Sequence, residues 1–185
     1  MKNRTTIDRT TLPTALLPLA KEHARVRHAR DDALLTSLVA DAIDVVERRC
    51  SINVFAATYS LRLDACRQET ASDGSGLTRY AFPVNNVNTA TVSDGAAVDQ
   101  SAAYTVEQAD YGGAGEAWMV GPAISGTGWT AVVEVGMDDP DDLAPAVRVA
   151  ILRLTAAFYE ARESFVPVYE PDYLGDLGVI WRPTV

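Results

Sequence analysis

The sequence predicts an α+β fold: two long packed helices, a small antiparallel β region inserted between them, and an extended C-terminal tail. Three observations carry this. Apolar residues recur at helical spacing over about 31–49 and again over about 143–164. Between them, over about 53–136, the apolar period changes to two. Beyond the second helix, Pro167 and Pro171 stop any regular element. The 185 residues amount to about one domain, and 48% hydrophobic with 22% charged residues is ordinary globular usage that can form a core.

Residues 1–14 are polar and threonine-rich (Thr5, Thr6, Thr10, Thr11, Thr14) and predict an extended arm. Pro18 fits the first turn of a short helix over about 16–26. Asp31 is a good N-cap for the first long helix, where Leu35, Leu38, Val39, Ala42, Val45 and Val46 form one stripe. Arg48 and Arg49 close it, where cations suit the helix dipole. Phe55, Ala57, Tyr59, Leu61 and Leu63 then alternate with smaller or polar residues, as on a strand with one wet face. Further short strands are predicted at 80–84, 87–92, 104–108, 116–120 and 129–135, separated by turns such as Ser93-Asp94-Gly95. Pro145 opens the closing helix, where its missing N–H costs nothing, and Val147, Ile151, Leu154, Thr155 and Phe158 trace its apolar face. The two long helices and the sheet are expected to share one core. Three parts result: an arm at 1–14, one domain at 15–165 and a tail at 166–185.

The chemistry-bearing residues point away from catalysis. Cys50 and Cys66, with two histidines in the whole chain, give neither a zinc spacing nor a disulfide framework. Gly74-Ser75-Gly76 lacks the strand–turn–helix setting of a nucleophile elbow, and Gly112-Gly113-Ala114-Gly115 lacks the Lys-Ser/Thr of a phosphate loop. No catalytic, cofactor or metal residue is therefore predicted. A net charge of −9 argues against binding nucleic acid by phosphate neutralisation. Proline and charge interrupt the one stretch that looks like a signal peptide, and no apolar run is long enough for a membrane span, so a soluble intracellular product is expected.

What stands out instead are features suited to contact. Lys21, His23, Arg25, Arg27, His28 and Arg30 form a basic cluster in an acidic chain. Asp138, Asp139, Asp141 and Asp142 form an acidic loop without the alternating ligands, central glycine and distal glutamate of a calcium loop. In a homo-oligomer, Arg25, Arg27 and Arg30 of one subunit could meet that loop on its neighbour. Tyr169, Tyr173, Trp181 and Arg182 place aromatic and basic groups in the proline-bounded tail, the residue types that anchor interfaces. Trp118 and Trp129 could alternatively serve a β-rich ligand-binding module.

The order of these features resembles the head–tail connector (adaptor) proteins of long-tailed phages, especially those of gene transfer agents. The resemblance runs from about Leu12 to Pro183. It is carried by Leu16-Leu17-Pro18-Leu19-Ala20-Lys21-Glu22-His23-Ala24-Arg25-Val26 as a short opening helix, and by Asp31-Asp32 at the start of the first long one. Glu47-Arg48-Arg49-Cys50 leads into a strand at 55–64, and Phe82-Pro83-Val84 with Val87 matches a proline-bearing strand pair. Gly136 to Pro145, Ala150-Ile151-Leu152 and Phe158-Tyr159-Glu160-x-Arg162 resemble the closing helix, and Gly178-Val179-Ile180-Trp181-Arg182-Pro183 the tail. Gly175 and Gly178 depart from the more helical apolar run often found there. The resemblance implies a virion structural protein made in the host cytoplasm and placed in the neck. There it would form a homo-oligomeric ring, usually of twelve copies, beneath the portal protein and above a stopper or tail-completion protein. DNA would pass through without sequence-specific binding, and acidic residues are expected to dominate the lumen. A stopper or tail-completion protein of the same particle is the alternative within this resemblance.

Overall fold

A computed structural model describes residues 2–70, 76–108 and 117–161. It is an α+β structure with three helices and two antiparallel four-stranded sheets. The chain divides into two compact units: a β unit built from the N-terminal strand and Ala56–Gly136, and a helical unit built from Asp8–Phe55 and the described residues from Met137 onward.

The β unit contains, in chain order, β1 (Lys2–Ile7), β2 (Ala57–Arg62), β3 (Gln68–Thr70), β4 (Thr78–Phe82), β5 (Val87–Ser93), β6 (Thr105–Gln108), β7 (Ala117–Gly121) and β8 (Thr130–Val135). One sheet has the order β1-β2-β8-β5 and the other β3-β4-β7-β6. Pairing sets the register so that Ala57, Tyr59 and Leu61 face the same side as their partners Val135, Val133 and Ala131. These residues meet Tyr80, Phe82, Ala117 and Met119 from the other sheet in one buried cluster, the consequence of the two-residue period. The Tyr80 hydroxyl donates to the Pro122 carbonyl (3.1 Å) and accepts from the Ile124 N–H (2.8 Å), so its polar end is satisfied in the core. Gly121 is required beside it, since a Cβ there would lie 2.2 Å from the Tyr104 ring. At one edge the Gln108 amide imitates a strand partner, accepting from Val87 N–H (2.9 Å) and donating to Val87 C=O (3.0 Å), which ties β6 to β5.

The helical unit contains α1 (Thr11–His23), α2 (Asp32–Cys50) and α3 (Pro145–Ala161). All three pack on one another. Leu12, Leu16 and Ala20 of α1, Leu35, Val39, Ala42, Ile43 and Val46 of α2, and Val147, Ala150, Ile151 and Leu154 of α3 are buried. At one end of the unit, the Tyr159 hydroxyl of α3 donates to Asp31 at the start of α2 (2.5 Å), and Lys21 near the end of α1 pairs with Asp32 (2.5 Å). The last turn of α3, the first turn of α2 and the last turn of α1 therefore lie together.

Two expectations differ from this. Where the sequence predicts an arm over 1–14 and a helix from about 16, residues 2–7 form an edge strand and α1 begins at Thr11. Pro18 lies inside α1 rather than in its first turn, because the fully buried Leu12, Leu16 and Ala20, four residues apart, define a face that spans it. The single core expected for helices and sheet is replaced by two units. The buried β cluster draws only on strands and loops of the β unit.

Candidate functional site

The basic cluster begins where α1 ends. Val26 N–H donates to Lys21 C=O (2.9 Å) and Arg25 N–H to Glu22 C=O (3.2 Å), the paired bonds of a Schellman helix end. That motif needs a left-handed residue, and here it is Arg25, at φ 57°. Glycine usually fills this position, since a Cβ costs about 1–2 kcal/mol there. The turn borders a half-open concavity of about 390 Å³ lined by Lys21, Glu22, Arg25, Val26 and Arg27. Arg25, Arg27, His28 and Arg30 are exposed around it.

The acidic loop lies at the start of α3. Asp139 Oδ1 accepts from Asp141 N–H (2.9 Å), shaping a single 3₁₀ turn over Pro140–Asp142. Arg148, in the first turns of α3, donates to the Pro140 carbonyl (3.3 Å) and to Asp141 Oδ1 (3.1 Å). The Asp141 side chain nonetheless remains 91% exposed, and Asp138, Asp139 and Asp142 are exposed too. Pro145 precedes Tyr159 by fourteen residues, about 21 Å along a helix axis. Because Tyr159 touches the α1–α2 end, the acidic loop stands at the opposite end of the helical unit. Within one copy the two charged features do not meet.

The two tryptophans occupy different faces. Trp129 packs against the β core, edge-on to Tyr104 at 6.2 Å, and its indole N–H donates to Ser125 C=O (3.0 Å). Trp118 lies on the outer face of its sheet beneath two guanidinium groups, Arg67 at 5.0 Å and Arg79 at 5.1 Å from the ring centroid. Glu107 pairs with Arg79 (2.9 Å) and Glu69 with Arg67 (3.3 Å). A groove lined by both tryptophans is thus not formed. The arginine–tryptophan cluster escapes sequence reading because strand pairing brings its members together; the alternation of β4 and β7 is its one sequence signal.

Tyr169, Tyr173, Trp181 and Arg182 lie outside the described residues. Among the described residues no group of three or more His, Cys, Asp or Glu side chains is placed to hold a metal ion, and no helix is long and apolar enough to cross a membrane.

No protein-family model matches the chain, and no curated protein matches it in sequence. Solved structures do match. A chain in the neck of an empty gene transfer agent (GTA) particle, computed with C6 symmetry, aligns with a TM-score of 0.71 at 19% identity, covering 100% of this chain and 97% of that one. A chain of the neck of the native GTA particle, computed with C12 symmetry, gives 0.67 at 17% identity with the same coverage. This is the fold of a GTA neck chain. A chain from the virion of the native particle agrees, at 0.65 and 19% identity, again covering 100% and 97%. Helical and β units both belong to the neck-chain fold, since the match spans the whole sequence and not one unit of it.

Proposed function

We propose that this protein is a structural head–tail connector of a tailed phage or phage-like particle: an adaptor that forms a ring in the neck beneath the portal and continues the DNA channel toward the tail. The observation that carries this reading is the full-length likeness to chains of GTA necks, two of them from reconstructions with C6 or C12 symmetry. The work of such a protein is binding, not chemistry. Its contacts are the portal, its own copies and a stopper or tail-completion protein. Tyr169, Tyr173, Trp181 and Arg182 supply the docking tail, with Trp181 as its anchor, because tryptophan, tyrosine and arginine are the residue types enriched at the energetic centres of interfaces.

The test is the mass of the purified full chain, alone and mixed with its portal, together with Trp181→Ala and a chain ending after Ala161. The wild type is expected to co-assemble with the portal as a ring. Trp181→Ala should weaken that assembly about tenfold or more, and truncation should abolish it. A chain that ignores the portal in every mixture overturns the reading. Binding only after another ring has occupied the portal assigns the chain to the stopper position instead.

A further inference from the structure

We infer that the basic concavity at the α1–α2 turn is a socket for the acidic loop of a second copy of this chain, so that copies join head to tail. The inference rests on the ring reading above and names the contact that closes the ring. Three observations support it.

The first is complementarity. The turn carries Arg25, Arg27 and Arg30, and Arg25 and Arg27 line the concavity together with Glu22 and with Lys21, which is itself paired with Asp32. The loop at 138–142 carries four aspartates, with Arg148 its one close cation among the contacts described. The second is placement. The socket and the loop stand at opposite ends of the same helical unit, held there by the Tyr159–Asp31 hydrogen bond at one end and by Arg148 at the other. Two complementary patches at different places on one chain are what a heterologous interface needs, and such an interface closes into a ring when the rotation per copy allows. The third is access. Arg25, Arg27 and Arg30 are exposed at the turn, and all four aspartates are exposed in the loop.

A nucleic-acid phosphate is the competing occupant. It is disfavoured by Glu22 in the lining, by Asp31 and Asp32 beside it, and by the net charge of −9. Those acids face a carboxylate loop as well; what favours the loop is its fixed place at the other end of the same helical unit, which a second copy always brings. The contact lies between exposed groups, so salt should weaken it, with screening over about 8 Å at physiological ionic strength.

Charge reversal in the full-length chain decides the matter. Arg25→Glu with Arg27→Glu reverses the socket, and Asp138→Lys with Asp142→Lys neutralises the loop, two lysines then standing beside two aspartates, while leaving the Asp139 and Asp141 bonds in place. Self-association is read by sedimentation, with and without the portal, across a salt series. Each double variant alone should associate about tenfold or more weakly than the wild type. An equimolar mixture of the two should associate more tightly than the socket variant alone, because alternating copies then place every acidic socket against a loop that carries two lysines and every basic socket against a loop that keeps its four aspartates. Arg25→Gly guards against misfolding: it removes a socket cation and the left-handed strain together, so association should fall while the melting temperature holds or rises. Unchanged association in either double variant, or a mixture no tighter than the socket variant alone, overturns the socket. If those variants still bind the portal, the connector reading survives that failure. A wild type that neither self-associates nor binds the portal removes both. Binding of a duplex oligonucleotide that Arg25→Gly abolishes, with self-association untouched, assigns the concavity to phosphate and also overturns the inference.

Discussion

Asp8 gathers the start of α1 onto one carboxylate. Its Oδ1 accepts from Thr10 N–H and the Thr10 hydroxyl, both at 2.7 Å, and from Thr11 N–H at 3.2 Å, while Oδ2 accepts from the Thr11 hydroxyl. The Thr11 hydroxyl, then the Thr10 hydroxyl and the two backbone donors, hold this carboxyl well below the usual carboxylate range. Its folded pKa is depressed, so its stabilisation is complete above the ordinary value of 3.8 and is lost as pH falls from there through the folded value. Asp8→Ala should therefore cost about 1 kcal/mol near neutrality, the usual cost of losing a helix-start acceptor. The gap between variant and wild type should narrow as the solution is acidified below pH 4. Thermal unfolding of both proteins across that range checks it; a gap independent of pH would mean that the carboxylate charge is not what holds the turn.

At the scale of elements, α2 depends on an acceptor in its last turns. Glu47 Oε1 takes the N–H of Val54 (2.8 Å) and of Phe55 (2.9 Å), just past the left-handed Ser51 that ends the helix. The same short segment is bridged by Met137, whose N–H donates to the Val54 carbonyl (3.0 Å). Glu47→Ala would leave two part-buried donors without that acceptor, at a cost of about 2–3 kcal/mol, whereas Glu47→Gln keeps an acceptor and should cost less than half as much. Urea midpoints of the two variants test this, and equal losses would show that the charge matters more than the hydrogen bonds. The elements also differ in how far the sequence reveals them. The helix predicted over 31–49 is α2 at Asp32–Cys50, closed by Arg48 and Arg49, and the closing helix is described from Pro145 to Ala161, because the apolar period is clear in both. The Asp31 side chain, expected as a cap, makes no capping hydrogen bond and accepts from Tyr159 instead. β1 gives no such signal. Among Lys2–Ile7 the one apolar side chain is Ile7, and the strand exists through its pairing with β2, far along the chain. In α1 the first proline sign, Pro18, conflicts with the Leu12–Leu16–Ala20 face, and packing wins. The charged runs of the candidate interface were legible as runs, but their placement at opposite ends of the helical unit needed the Tyr159–Asp31 contact, which joins residues 128 positions apart.

At the scale of the whole molecule, charge constrains what a ring of these chains can do with DNA. Every copy brings a net −9. The described cations are largely engaged within the chain: Arg9 with Asp44, Arg62 with Asp64, Arg67 and Arg79 with Glu69, Glu107 and Trp118, Arg148 with Asp141. At the α1–α2 turn Lys21 pairs with Asp32, and the clearest exceptions are the exposed Arg25, Arg27 and Arg30, which the head-to-tail contact would cover. An assembled ring should then present to its lumen a field that repels phosphate at short range and is screened over about 8 Å at physiological salt, which lets DNA pass without adhering. A labelled duplex titrated with the portal-assembled ring should show no rise in fluorescence anisotropy at about 0.15 M salt. Lowering the salt should not produce the steep gain, roughly 0.9 in log K per unit of log salt for each phosphate neutralised, that a basic lining produces. A steep slope in the assembled ring would mean that cations line the channel, and the acidic lumen would have to be abandoned. The same slope confined to the unassembled chain would instead locate those cations at the turn that assembly covers.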